Sequence, residues 1–133
     1  MSDAKSNYLE NKVLDHFLGT ASTASQTVYL ALHIGDPTDT GTGGTGEIST
    51  AATGYARQAV SFNSASGGST TGPTSAKEFT ANGSDWGTIT HFALYDASTG
   101  GNMLYYGALT EDKLIEDGDT LRFSTGSITI TEA

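Results

Sequence analysis

The pattern of apolar and polar residues predicts a short helix near the start of the chain. An apolar residue recurs at every fourth position, at Leu9, Val13 and Phe17. This spacing places all three side chains on one face of a helix. Asn7 and Glu10 form a capping-box-like start, and Gly19 is suited to the position just after a helix end. We therefore predict a helix over 7–19, preceded by a loose polar arm over 1–6.

The apolar face of this helix has to be buried, because an isolated helix of about three turns is marginal in water. Packing against the rest of its own domain is the simpler alternative. Docking onto another subunit is the other alternative, and both stay open at this point. If the second holds, the candidate interface residues are Tyr8, Leu9, Val13 and Phe17.

The rest of the chain has the patterns of short strands. In 27–34 the residues Val28, Leu30, Leu32 and Ile34 alternate with others, which predicts a strand with one core face. Two apolar runs flank a Gly/Ser/Thr turn and predict a hairpin. The remaining predicted strands are 55–62, 76–80, a pair formed by 113–116 and 120–124, and 127–131. The hairpin strands are 89–96 and 103–109.

A long segment without periodicity separates the first two predicted strands. Residues 35–54 are rich in Gly and Thr. Loops of about 20 residues are unusual in compact domains and are often functional. We predict a surface loop that is ordered by contact with a partner.

These elements together predict a mainly β fold. Seven or eight short strands with turns every 8–12 residues are typical of a β-sandwich or jelly roll. We predict one single domain over 1–133, in which one short N-terminal helix precedes a β-sandwich over 27–131.

Charge and composition narrow the classes of partner. Six Lys and Arg residues against 15 Asp and Glu give a net charge of −9, and Cys is absent. An acidic surface repels phosphates and anionic lipids, so we expect neither nucleic acid nor membrane as a partner. The longest apolar run is far too short to cross a bilayer. No disulfide or thiolate metal site can form.

The candidate chemistry is sparse. His16, His33 and His91 stand in no nucleophile motif, and we interpret each as a structural residue. Asp36 and Asp39 lie in a loop without a calcium-binding pattern, which favours an acidic solvated loop. We therefore predict no catalytic residue, metal or cofactor, and no enzymatic activity.

Two further residues are candidates for an interface. Trp86 belongs to a group of aromatic residues that would suit either a carbohydrate platform or a sandwich core, and core packing is favoured. Arg57 and Arg122 are candidate interface charges, although a solvated strand face is the simpler role for both.

Several blocks of sequence resemble a known family. They are NYLEN at 7–11, VYLAL at 28–32, YARQAV at 55–60 and the hairpin region 86–109. In these blocks the chain resembles small virion proteins of tailed bacteriophages, which are often labelled tail-fibre-like. The resemblance extends over 7–130 and implies a structural protein of the virion, made in the host cytoplasm.

The resemblance leaves the place on the particle open. The chain lacks the long repeats or heptads of a fibre shaft, which favours a capsid decoration (cement) protein on the outer surface of the head. Its expected partners are then the major capsid protein and further copies of itself, such as a trimer. The alternative is a tail-fibre or tail-tip protein that binds a host glycan or receptor.

Overall fold

The computed structural model of the chain describes residues 3–18, 27–40, 46–50 and 53–131. It is mainly β with one short helix, as predicted from the sequence. The elements in chain order are β1 Asp3–Lys5, α1 Asn7–Leu18, β2 Val28–His33, β3 Gln58–Val60, β4 Ser69–Gly72, β5 Lys77–Thr80, β6 Gly87–Tyr95, β7 Met103–Ile115, β8 Thr120–Phe123 and β9 Ile128–Thr131. Within the described residues, α1 is too short and too polar to serve as a membrane span.

The strands form one larger sheet and two small ones. The larger sheet is antiparallel, in the order β1-β7-β6-β2-β3, and the small sheets are the pairs β4-β9 and β5-β8. The predicted hairpin is present as β6 and β7 and is longer than expected. It continues to the pair Gly87 and Ile115 past an irregularity between Ile89 and His91.

This extension changes one predicted pairing. Lys113 and Leu114 belong to the end of β7 and pair with β6, whereas β8 pairs with β5. The predicted pair of 113–116 with 120–124 is therefore wrong. The Asp117-Gly118-Asp119 segment is still a turn, in which the Asp119 amide donates to the Glu116 carbonyl at 2.8 Å.

The main core lies on one face of the larger sheet. It contains Leu30 and Leu32 of β2 together with aromatic and aliphatic residues of the other strands and loops. The prediction that β2 has a single core face is wrong, since Ala31 and His33 on its other face are also buried. Ala31 pairs directly with Ala93, and these small side chains lie in a second, smaller cluster on that face. Ile34 lies beyond β2 and is 36% exposed.

The predicted N-terminal arm is partly a strand. Residues Asp3–Lys5 form β1 and pair with β7, so the prediction of a loose arm is wrong for these residues. Ser6, which is buried, caps the helix in place of the predicted Asn7. Its hydroxyl accepts the Leu9 amide at 3.2 Å, as an N-cap residue does. The predicted helix end at Gly19 lies outside the described residues.

The predicted strand 55–62 is shorter than expected, and the long loop before it is more ordered. Only Gln58–Val60 is a strand. The described parts of 35–54 pack against the chain's own sheet, where the Ile48 amide donates to the Leu32 carbonyl at 3.2 Å. Residues 41–45 and 51–52 of that loop lie outside the described residues.

Candidate functional site

A charged pair, with Arg57 buried and Glu47 half-buried, holds the segment before β3 to the rest of the fold. The Arg57 guanidinium makes two parallel hydrogen bonds to the Glu47 carboxylate, from Nε at 2.7 Å and from Nη2 at 2.8 Å. The Arg57 side chain is only 7% exposed. A planar guanidinium matches a carboxylate in this two-point arrangement, so the pair is directional as well as attractive.

The same guanidinium also fixes the turn of the β6–β7 hairpin. Its Nη1 donates to the carbonyls of Ala97 at 2.9 Å and Gly100 at 2.8 Å. Its carbon lies 3.7 Å from the centre of the Tyr95 ring, which is a cation–π contact. One side chain from the YARQAV block therefore organises a loop about 40 residues further along the chain.

Within this turn, Asp96 supplies a second set of bonds. Its carboxylate accepts the Asn102 amide at 2.7 Å and the Asn102 side chain at 3.0 Å. Gly100 and Gly101 both have positive φ, which suits glycine. The turn is thereby closed by its own residues and clamped from outside by Arg57.

Two aromatic residues complete the cluster. The Tyr55 hydroxyl donates to Glu47 and accepts the Leu32 amide at 3.2 Å. The His33 ring stacks on Tyr95, with the His33 Nε2 atom 3.2 Å from the Tyr95 hydroxyl. Glu47, Tyr55, Arg57, Tyr95 and His33 thus form one continuous network, which we call the Arg57 network.

Burial and charge shift the pKa values in this network in ways that keep the pair ionised. Burial acts to raise the pKa of Glu47, but the bonds from Arg57 and Tyr55 outweigh burial and lower it. Burial acts to lower the pKa of Arg57, and Glu47 reverses that shift too. Burial, with help from Glu47, raises the pKa of Tyr55. Burial lowers the pKa of His33 to about 4, so this ring is neutral near pH 7.

The start of α1 forms the second organised region. Ser6 also donates its hydroxyl to the Met103 carbonyl, and its amide donates to the Leu104 carbonyl at 2.9 Å. The Asn7 amide donates to the Asp39 carbonyl at 3.1 Å. The Asp39 side chain in turn accepts the Tyr106 hydroxyl, and that bond raises the pKa of Tyr106 to about 12. The first turn of the helix is therefore fastened to β7.

The second half of α1 presents two leucine side chains to solvent. Tyr8, Leu9 and Val13 are half-buried. Leu14 is 55% exposed and Leu18 is 78% exposed, and the two lie one helical turn apart. The Phe17 side chain lies outside the described residues. We call Leu14 and Leu18 the α1 patch.

The remaining predicted interface residues lie elsewhere. Trp86 is 5% exposed in the main core, and its Nε1 donates to the Thr53 carbonyl at 2.9 Å. Arg57 is buried as described above. Arg122 is solvent-exposed and lies 3.8 Å from Glu78. The structure brings none of these three together with the α1 patch, and their roles as contacts to a partner stay predictions.

The described residues do not gather a metal-ligand set. No group of three or more His, Asp or Glu side chains is placed there to hold an ion. His91 contacts Thr90 at 2.8 Å, and His33 contacts Tyr95. What the geometry supports directly is rigid positioning of loops and presentation of an apolar helix face.

Sequence reasoning missed most of the Arg57 network. Glu47 lies in a Gly/Thr-rich stretch without periodicity, so nothing in its neighbourhood indicates a partner. One usable signal is Arg57 itself, placed two residues after Tyr55 in a chain with only six Lys and Arg residues. A rare cation beside a strand is a candidate for a buried pair as much as for a surface contact.

The comparisons with known proteins agree with this picture of a structural module. None of the curated proteins matches the chain. A family model described as "Podophage GP4 fiber I protein gp80" matches residues 4–131, which include both the Arg57 network and the α1 patch. The chain therefore belongs to the podophage GP4 fiber I protein gp80 family and is a bacteriophage structural protein.

Proposed function

We propose that the chain is a fibre subunit of the virion that attaches to a neighbouring virion protein through the α1 patch. The observation that carries this proposal is the exposure of Leu14 and Leu18, at 55% and 78%, on a helix whose first turn is fastened to the sheet. The chain acts by non-covalent packing, without a catalytic step.

The anchoring of α1 supports attachment rather than a loose tail. Ser6 and Asn7 bind the carbonyls of Leu104 and Asp39, so the patch is presented in a defined orientation. A surface that is already ordered loses less conformational entropy when it binds a partner. Exposed apolar side chains that neighbour one another are a common mark of an interaction site.

The free energy that the α1 patch contributes to binding can be estimated from its exposed surface. Full burial of a leucine side chain is worth about 1.5–3 kcal/mol, and the two residues of the patch have more than half of their surface left to bury. The patch therefore contributes roughly 3 kcal/mol per subunit. That is too little for a tight one-to-one complex but is effective where several copies attach together.

A head decoration protein is the second candidate. It is favoured by the compact sheet architecture and by a sequence of 133 residues without shaft repeats. On that proposal the α1 patch contacts the major capsid protein or a second copy of the chain. The family description favours the fibre.

Immunogold electron microscopy of intact particles tests both candidates. Gold confined to the tail region supports the fibre subunit, and gold spread densely over the head supports decoration. Particles made with the Leu14→Asp and Leu18→Asp variant should lose the label, because the variant chain no longer attaches. Particles that carry Asn7→Asp and Asn11→Asp gain the same two charges on exposed positions of α1 and should keep it. Equal labelling of both variants would contradict attachment through the patch.

A further inference from the structure

The residues around the Arg57 network include a strap that closes over the main core. We define the strap as residues 46–50 and 53–57. Ile48 and Tyr55 of the strap are buried at 7% and 3% exposure. The Ile48 amide donates to the Leu32 carbonyl, and the Leu32 amide donates to the Tyr55 hydroxyl, both at 3.2 Å. The strap is thus held on β2 by these contacts. It is also held to the rest of the fold by Thr53, whose carbonyl accepts from Trp86, and by Arg57, which donates to the carbonyls of Ala97 and Gly100.

His33 lies beside the strap, on the face of β2 opposite the main core. His33 is buried, with 2% of its surface exposed. A single antiparallel bridge joins its backbone to that of Glu47. Its Nδ1 atom is buried without a hydrogen-bond partner among the described residues. The groups that face the ring are Glu47 and Arg57 from the strap, and His91 and Tyr95 from β6.

A proton on His33 does not fit this closed arrangement. The imidazolium has two N–H donors, and its Nδ1 has no acceptor in the described surroundings. The new charge would stand near Arg57, and the Glu47 carboxylate that could balance it is already engaged by Arg57 and Tyr55. Opening of the strap removes both conflicts, because it admits water to the ring and carries Arg57 away from it.

We propose that the strap is an acid-sensitive latch: proton uptake by His33 releases residues 46–50 and 53–57 from β2 while the five-stranded sheet stays folded. Release would uncover the apolar surface of Leu32 and the core side of β2, now covered by Ile48 and Tyr55. The latch is independent of the proposed attachment through α1, which lies on a different element.

The direction of the pH effect follows from linkage. Burial lowers the pKa of His33 from 6.5 to about 4 in the closed state, and opening restores the ordinary value. The closed strap is therefore fully favoured above about pH 6.5 and loses stability as the pH falls toward 4. Between pH 7 and pH 5 the opening equilibrium should rise roughly twentyfold, a window in which Glu47 stays ionised in the closed state.

Hydrogen exchange of the full chain tests this proposal. We expect the protection factor of the Ile48 amide to fall roughly twentyfold between pH 7 and pH 5, after correction for the intrinsic exchange rate. The amides of the β6–β7 ladder should remain better protected at both pH values. With His33→Asn the change should be less than twofold, and with His16→Asn, on α1, it should stay at the wild-type size.

Two results would overturn the latch. One is an equal pH response of the Ile48 amide in wild type and in His33→Asn. The other is identical protection of strap and β6–β7 amides, which would mean that the strap opens only by global unfolding. If His33→Asn does not fold, an NMR titration of the wild-type histidines decides, because a His33 that titrates at its ordinary value under a protected strap contradicts the proposal.

Discussion

The Arg57 network and the α1 patch differ in how far their side chains are buried and contacted by the rest of the chain. The network buries a charged pair and satisfies it almost entirely from within the chain, with Glu47, Ala97 and Gly100 as partners of Arg57. The patch leaves Leu14 and Leu18 in solvent on a helix that is otherwise well anchored. The difference indicates that Arg57, which has the residue type of a binding site, serves the fold, whereas the two leucines are the residues that we propose to contact a partner.

The largest expected loss of stability comes from a substitution in the Arg57 network. Arg57→Ala leaves the half-buried Glu47 without its cation, which should cost about 3 kcal/mol, at the lower end of the cost of breaking a buried pair. The loss should appear as a lower free energy of unfolding in chemical denaturation. Arg122→Ala is the matched control, because its ion pair with Glu78 is exposed and should cost less than about 1 kcal/mol.

A similar loss in the free energy of unfolding for Arg57→Ala and Arg122→Ala would contradict this expectation. It would mean that the Arg57 pair contributes no more than a surface pair.

The next effect concerns the turn that Arg57 clamps. A Cβ added at Gly101 would lie 2.5 Å from the Asp96 Oδ1 atom and 2.7 Å from the Ala97 Cβ, at a φ of 71°. Gly101→Ala should therefore destabilise the chain by about 2–3 kcal/mol. Gly100→Ala has a similar φ but open space, and should cost about 1 kcal/mol. Thermal unfolding of the two variants checks the difference, and equal melting temperatures would contradict it.

A smaller effect is expected at the anchor of α1. Ser6→Ala removes the N-cap hydroxyl that accepts the Leu9 amide, which costs about 1 kcal/mol. Asn7→Ala should change stability by less than about 0.5 kcal/mol, because the Asn7 side chain is exposed. Chemical denaturation of both variants tests the assignment of Ser6 as the N-cap. A larger loss of stability in Asn7→Ala than in Ser6→Ala would show that Asn7 is the N-cap instead.

The smallest effect on stability belongs to the patch. Leu14→Asp with Leu18→Asp should change the free energy of unfolding of the isolated chain by less than about 1 kcal/mol, because both side chains are mostly exposed. A loss of several kcal/mol would show that the leucines serve the fold, and the contrast with Arg57 would disappear.

The sequence predicted those elements whose signal is local. The β6–β7 hairpin follows from two apolar runs around a Gly-rich turn, and α1 follows from a four-residue repeat of apolar residues. Pairings between distant strands could not be predicted. β8 pairs with β5 across about 40 residues, and the end of β7 carries the same polar pattern whether it pairs with β6 or with β8.

Of the two candidate regions, only the helix α1 could be predicted from the sequence. Leu9 and Val13 follow from the four-residue repeat, but this repeat does not show that the more exposed residues are Leu14 and Leu18. The Arg57 network depends on Glu47, which reaches Arg57 through a loop without pattern. Trp86 lies in the core with its N–H bound to Thr53, as the favoured interpretation of the aromatic group expected.

Binding of the purified chain to particles assembled without it tests the central claim most directly. The account predicts that Leu14→Asp with Leu18→Asp weakens binding roughly 100-fold, which corresponds to about 3 kcal/mol. The variant with Asn7→Asp and Asn11→Asp should bind like wild type. Equal binding by both double variants would contradict attachment through the α1 patch.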